Sequence, residues 1–278
     1  MDAGPRERFE ALMTVLRACG SACIGYSGGV DSVFLARAAV EALGRERVLA
    51  VTGLSEAVPG VQRDIARACA KRIGVTHVEI ATDELSDPQY AANPRNRCYH
   101  CKTELWRKLT ALASARGLEV VMDGSNADDA KDVRPGMTAA RERGVRSPLL
   151  EAGLTKADIR SFSRGFELPT WDQPSAPCLS SRLPYGLAVT RERLAQIERA
   201  EDALRALGFR EFRVRHHGDV ARVEVTPAEL PFAIGRAADI VAVVRQAGFP
   251  RVLLDVEGFR SGALNEPLPL VSLTLGRT

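Results

Sequence analysis

The chain reads as an α/β protein, a doubly wound parallel sheet followed by a smaller α+β domain. Three observations predict this. Short apolar runs alternate with helical patterns over the first 150 residues. One of those runs ends in a glycine pair with a helical pattern opening directly behind it. Beyond an irregular, proline-rich stretch at 166–186 the pattern changes to alternating strands.

The elements follow in order. Residues 7–18 have helical spacing and lead into a strand at 21–26. After the turn Ser27-Gly28-Gly29 a helix runs over 31–43, and 47–53 is a second buried strand. Pro59 opens a helix through Ile73, with Gly74 as its stop. A third strand spans 75–80, a long helix runs from about 98 to 116, and a fourth strand covers 119–123. Residues 146–150 read as a short fifth strand, and Thr155 caps another helix. The stretch 166–186 holds four prolines between Leu168 and Pro184 and has no period, although Trp171, Leu179 and Tyr185 argue against disorder. A helix over 190–207, strands at 212–216 and 221–225 joined through Gly218-Asp219, a helical stretch at 227–247 and a strand at 251–256 complete the chain. The expected domains are therefore 1–185 and 186–278.

Length and composition bound the function. With 278 residues, 45% of them hydrophobic and 26% charged, the chain can bury a core in two domains. No apolar run approaches a membrane span, and the mixed-charge N-terminus lacks a signal-peptide core, so a cytoplasmic protein is expected. The net charge of +3 is spread without a basic run or tail, which favours a small anionic ligand over a nucleic-acid partner. Six cysteines are too few for a disulfide scaffold of this size, and Cys19, Cys23 and Cys69 lie in apolar or helical patterns typical of small core residues.

The turn between the first strand and helix carries the strongest chemical signal. Gly28 and Gly29 admit close approach of a ligand, and the first N–H groups of the helix point at that space. Ser27 and Ser32 add hydroxyls, and Asp31 can cap the helix or help hold a metal ion. An ordinary Gly-Gly turn with a Ser/Asp cap is the alternative, but the full strand–loop–helix context favours a phosphate loop. No Gly-Lys-Ser/Thr follows, so this is not a Walker loop. The six residues resemble the pyrophosphate loop of the ATP pyrophosphatases. That resemblance implies ATP and Mg2+, a leaving pyrophosphate, and attack of a substrate oxygen on the α-phosphorus. The expected nucleotide site also takes in Thr52, in the second strand, and Gly124, just past the fourth.

Cys98 and Cys101 open the long helix three positions apart, and a helix N-terminus is expected to lower the pKa of both thiols. A metal site, a redox dithiol and coincidence all remain open. One cysteine pair cannot close a zinc site, and Lys102 rather than His after Cys101 rules out haem attachment. Cys178, in the proline-rich stretch, is a third thiol, and three can hold an iron–sulfur cluster with one iron left open.

Several further segments join these. Asn96-Arg-Cys-Tyr-His-Cys-Lys102, Asp123-Gly-Ser-Asn-Ala-Asp-Asp129, Pro174-Ser-Ala-Pro-Cys-Leu-Ser-Ser-Arg-Leu-Pro-Tyr-Gly186 and Phe212-Arg-Val-Arg-His-His217 resemble, with the pyrophosphate loop, the LarE family. LarE proteins are ATP-dependent sulfur transferases that build the organic ligand of the nickel-pincer cofactor. The resemblance implies adenylation of a carboxylate on a pyridinium dicarboxylate mononucleotide, followed by attack of sulfur. Some members sacrifice one cysteine sulfur and are left with dehydroalanine, whereas others hold a [4Fe-4S] cluster. With Cys98 and Cys101 beside Cys178 this sequence is similar to the cluster type, and the sulfur source stays open between Cys178 and a cluster sulfide. The resemblance also implies a homo-oligomer, a trimer or hexamer, and the source that reloads sulfur, a donor protein, is left open.

The residues supply further candidates. Arg213 and Arg215 alternate along one strand and so share a face suited to phosphate or carboxylate; a solvated strand face is the alternative. Arg182, four residues past Cys178, can grip substrate and lower the thiol pKa. Asp128 can help Asp31 hold magnesium, although with Asp129 it also suits an Asx-rich turn. Rival readings are a tRNA thiolase, an amide-forming synthetase and a non-enzymatic nucleotide-binding module. The first calls for a dedicated RNA surface, the second leaves the three cysteines unexplained, and the third leaves the 166–186 stretch without a task.

Overall fold

The computed structural model describes residues 4–131 and 135–259. The elements are α1 (Pro5–Arg17), β1 (Ala22–Gly25), α2 (Val30–Leu43), β2 (Val48–Leu54), α3 (Gly60–Ile73), β3 (Thr76–Ala81), α4 (Pro88–Ala91), α5 (Arg97–Ala115), β4 (Val120–Met122), α6 (Pro135–Glu142), α7 (Pro148–Glu151) and α8 (Lys156–Gly165). A 3-10 turn (Leu179–Arg182) then precedes α9 (Arg191–Ala206), β5 (Phe212–His217), β6 (Val220–Val225), α10 (Leu230–Gly235), α11 (Ala237–Gln246) and β7 (Arg251–Leu254).

The described residues divide into two compact units, one of those up to Ser181 together with 188–195, the other of 182–187 and those from Gln196 on, so the division is interleaved rather than falling at one residue. The last residues of the expected second domain, 260–278, lie outside the described residues.

In the first unit four parallel strands pair in the order β3-β2-β1-β4. Because side chains alternate along a strand, each face builds its own core. Ala22 and Ile24 of β1 and Val48 and Ala50 of β2 pack with Leu12, Leu16, Phe34, Ala66 and Ile159 on one side. Cys23, Leu49 and Val51 pack with Trp106, Leu109, Ala113 and Ala140 on the other. The bland expectation for Cys19, Cys23 and Cys69 agrees with their burial.

The expected fifth strand is corrected. Arg146 makes one parallel bridge to Met122, and the chain turns at once into α7. Pro148 is the reason: its ring sets a helical φ and removes a donor that a central strand would need. In the second unit β5 and β6 pair antiparallel and β6 and β7 pair parallel. His217 faces Val220, so Gly218-Asp219 is a two-residue turn, with Gly218 at φ 65°. The helical stretch expected over 227–247 breaks into α10 and α11 at Arg236, just past Gly235.

Candidate active site

The loop between β1 and α2 is held from both ends. Tyr26 N–H donates to Val51 O at 2.7 Å, which extends the sheet to the loop's edge. Ser27 N–H donates to Ser32 Oγ at 3.2 Å, and Ser32 Oγ donates to Gly29 O at 3.1 Å. The two serines thus cross-brace a turn whose helix N-terminus opens at Val30. The glycines do different jobs. Gly28 sits at φ 74°, and a Cβ there would stand 2.8–2.9 Å from the Ala66 N, Cα and Cβ atoms. Gly29 has φ −79°, and a Cβ would meet nothing nearer than Ser27 Oγ at 3.5 Å. Gly28 therefore belongs to the fold, while Gly29 leaves the space beside the helix start open.

Asp31 pairs with a residue that sequence reasoning missed. Lys156 Nζ donates to Asp31 Oδ2 at 2.5 Å, and Asn126 Nδ2 donates to Oδ1 at 3.4 Å. Lys156 is the first residue of α8, and its backbone N–H donates to Asp128 Oδ2 at 2.8 Å. The capping signal at Thr155 was legible, since its side chain accepts from Asp158 N–H, but the cation beside it pairs across 125 residues. Asp128 and Asp129 are drawn into the Asx-type network around Asn126. Among the described residues no three His, Cys, Asp or Glu side chains are arranged to hold a metal ion. Magnesium beside a nucleotide needs only one or two protein carboxylates plus phosphate oxygens, and Asp31 fits that role better than Asp128.

Thr52 and Gly124 support the loop. Thr52 is buried, its hydroxyl donating to Tyr26 O at 2.6 Å and meeting His77 Nε2 at 2.8 Å. A Cβ at Gly124 would stand 3.1 Å from Ser32 N, so this glycine lets the chain after β4 lie against the start of α2.

The segments that carry the three thiols are fastened to one another beyond the carboxyl ends of β2 and β3. Leu179 N–H donates to Ala57 O, just beyond β2, at 2.8 Å. Ser180 O accepts from Arg97 Nη1 at 2.9 Å, and its hydroxyl meets Tyr90 Oη at 2.6 Å. Arg97 immediately precedes Cys98, so the buried guanidinium ties the Cys178 segment to the start of α5. Cys98 is exposed, and Cys101 and Cys178 are half-buried.

The expected lowering of both thiol pKa values is corrected at Cys101. Burial, then the Glu84 carboxylate, push that thiol up to about 12, with Cys178 and Cys98 adding to the rise. Desolvation outweighs the helix N-terminus. Glu84, another residue without a sequence signal, is buried just past β3, with Oε1 at 4.0 Å from Cys101 Sγ and Oε2 without a partner among the described residues. Three thiols are the soft donor set that an iron–sulfur cluster takes, and beside Cys101 the buried Glu84 Oε2 lacks a partner among the described residues.

In the second unit the three arginines form a buried charged cluster. Glu201 grips Arg182 in a fork, Nε to Oε1 at 2.8 Å and Nη2 to Oε2 at 2.9 Å. Arg215 Nε donates to Glu224 Oε2 at 2.9 Å, and Arg222 also pairs with Glu224. Arg213 stacks over Phe259, 5.0 Å from the ring centroid. The strand face is therefore buried, which removes the solvated alternative. Burial, then the Arg182 charge, hold Arg213 down at about 10.

A parallel sheet with a Gly-Gly loop, two cross-bracing serines and an aspartate at a helix N-terminus defines an enzyme of the ATP pyrophosphatase class. The NAD synthase family model matches residues 8–95. Pyridinium-3,5-bisthiocarboxylic acid mononucleotide synthase of Lactiplantibacillus plantarum is 34% identical over 262 residues, 94% of this chain and 95% of the relative. The chain belongs to the family of that synthase, the LarE family. An uncharacterized protein of Synechocystis is 44% identical over 249 residues, 89% of this chain and 92% of the relative. One of Methanocaldococcus jannaschii is 28% identical over 238 residues, 86% of this chain and 90% of the relative.

Proposed function

We propose that the protein inserts sulfur into a pyridinium dicarboxylate mononucleotide for the nickel-pincer cofactor. What supports this is the fastening of the Cys178 segment, through Ser180 O and Arg97, to the start of α5, which carries Cys98 and Cys101, at the same sheet end as the pyrophosphate loop. Ser27, Gly28, Gly29, Asp31 and Ser32 hold the β,γ-phosphates of ATP, with Lys156 supplying a neighbouring cation and Asp31 a carboxylate for Mg2+. A substrate carboxylate oxygen attacks the α-phosphorus and pyrophosphate leaves. Sulfur then attacks the acyl carbon, AMP leaves with the bonding pair, and a thiocarboxylate remains.

Arg182, Arg213 and Arg215 are the substrate's anion site. The like charges that lower the Arg213 pKa would be relieved by a phosphate or carboxylate. Cys98, Cys101 and Cys178 would hold a [4Fe-4S] cluster, which supplies a labile sulfide when bound; without it, the sulfur comes from Cys178 by cleavage of its Cβ–S bond with loss of the Cα proton. A homo-oligomer and a protein that restores the sulfur complete the reading.

The test is single-turnover incubation with ATP, Mg2+ and the dicarboxylate mononucleotide, following pyrophosphate and the mass of the product. Cys178→Ala should release pyrophosphate but form no thiocarboxylate; a thiolated product from that variant refutes the assignment of Cys178. In Cys98→Ala and Cys101→Ala, dehydroalanine at 178 after one turnover identifies cysteine as the donor, and loss of product with Cys178 intact identifies the cluster.

A further inference from the structure

Gln62 is the third residue of α3 and is buried. Its Nε2 donates to Ser27 O at 2.9 Å, at the first residue of the pyrophosphate loop. Its Oε1 accepts from Gln173 Nε2 at 3.1 Å, in the loop that carries Cys178. The direction of the chain is set chemically: Ser27 O only accepts, so Gln62 must present its amide N–H there and its oxygen to Gln173. Ala66, one turn further along the same face of α3, is the residue against which Gly28 is packed. The pyrophosphate loop therefore rests on two successive turns of α3, and the first of these also holds the cysteine loop.

The cysteine loop is anchored on both sides of Cys178. Upstream, Arg160 clamps its backbone, Nη1 to Trp171 O at 2.7 Å and Nη2 to Gln173 O at 2.8 Å. Downstream, Leu179 N–H is held by Ala57 O at 2.8 Å. Residues 174–178 thus arch between two fastenings, Gln62 and Ala57, that both belong to the segment running from β2 into α3. Two prolines, Pro174 and Pro177, fix φ at two of its positions and so stiffen that stretch.

We propose that Gln62 and Gln173 are positioning residues that couple occupation of the pyrophosphate loop to the placement of Cys178. Phosphate oxygens pulling on the Ser27–Gly29 backbone change the register of Ser27 O. The amide pair hands that change to the arch, so sulfur is presented only when a nucleotide is in place. This keeps the acyl-adenylate from waiting for its nucleophile in reach of water. The inference rests on the nucleotide-site reading above and adds to it the link between its two half-reactions.

The primary readout needs no substrate. Full-length protein, prepared without iron so that no cluster holds Cys178, is treated with iodoacetamide with and without MgATP, and alkylation of Cys178 is followed by peptide mass spectrometry; MgATP binding is measured separately by calorimetry. In the parent, MgATP should change the Cys178 rate by about fivefold or more. In Gln62→Leu and Gln173→Leu it should change little, although both still bind MgATP. Gln62→Glu keeps an acceptor for Gln173 but loses the donor to Ser27, and should behave like the Leu variants. With substrate, thiocarboxylate formed per pyrophosphate released should fall about tenfold in all three, a split that a merely destabilised fold would not produce. A nucleotide effect on Cys178 that persists undiminished in Gln173→Leu, or none in the parent, refutes the coupling while leaving the nucleotide site intact. Failure of the parent to bind MgATP at all overturns the nucleotide site and the coupling with it.

Discussion

Replacing each glycine of the pyrophosphate loop by alanine separates the needs of the fold from those of the ligand. At Gly28 the new Cβ must accept φ 74°, a left-handed conformation that costs a non-glycine residue about 1–2 kcal/mol. It must also displace Ala66 backbone atoms now 2.9 Å away, and overpacking of that kind costs about 1–3 kcal/mol. Gly28→Ala should therefore destabilise the first unit by about 2–5 kcal/mol. At Gly29, φ −79° is open to any residue and the Cβ meets only Ser27 Oγ at 3.5 Å. The reduced entropy of the unfolded chain, about 0.4–1 kcal/mol, offsets the poorer N-cap, so stability should change by less than about 0.5 kcal/mol. ATP-dependent pyrophosphate release should nonetheless fall sharply in Gly29→Ala, because the methyl group enters the space beside the helix N–H groups. Urea denaturation of both variants, alongside pyrophosphate release, checks this. Equal losses of stability would refute the division of labour, and parental release by folded Gly29→Ala would refute the phosphate loop.

Three further outcomes follow from the same geometry. Lys156→Met removes the cation beside Asp31, and loss of a charge-assisted contact worth about 1.5–3 kcal/mol should weaken MgATP binding by about 10–150-fold in calorimetry, with the fold retained. Glu201→Ala removes the forked carboxylate from the buried Arg182 guanidinium and the acceptor of the Val214 N–H, and should cost about 3–5 kcal/mol in urea unfolding, Glu201→Gln distinctly less. His217 is lowered to about 4, first by burial and then by Arg222, Arg215 and His216, against about 6.5 unfolded. Between those values the unfolded chain binds the extra proton, so its contribution is complete above pH 6.5 and is lost as pH falls toward 4. His217→Gln should flatten the stability profile across that window, as read from urea midpoints.

Much of the fold and the loop could be read locally. β1, the glycine pair and α2 are adjacent in the chain, and the alternation of apolar runs with helical spacing requires the same parallel sheet wherever it occurs. Proline chemistry was local too, yet at residues 146–150 it was outweighed in reading by the apolar residues around it, and α7 took the place of a strand. The pairing partners could not be read this way. Lys156 meets Asp31 across 125 residues and Gln173 meets Gln62 across 111, and neither pair has a spacing or residue type that announces it. The charge state of Cys101 was likewise decided by tertiary structure. A helix N-terminus is visible in sequence and favours a thiolate, but burial beside Glu84 depends on what the loop after β3 brings over it. Arg213 and Arg215 show the same limit: period 2 put them on one face, but only packing made that face buried and crowded it with Arg182. Sequence determines what each segment can do with its own neighbours in the chain; desolvation and long-range charge belong to the assembled fold, and they decide which of those capacities is expressed.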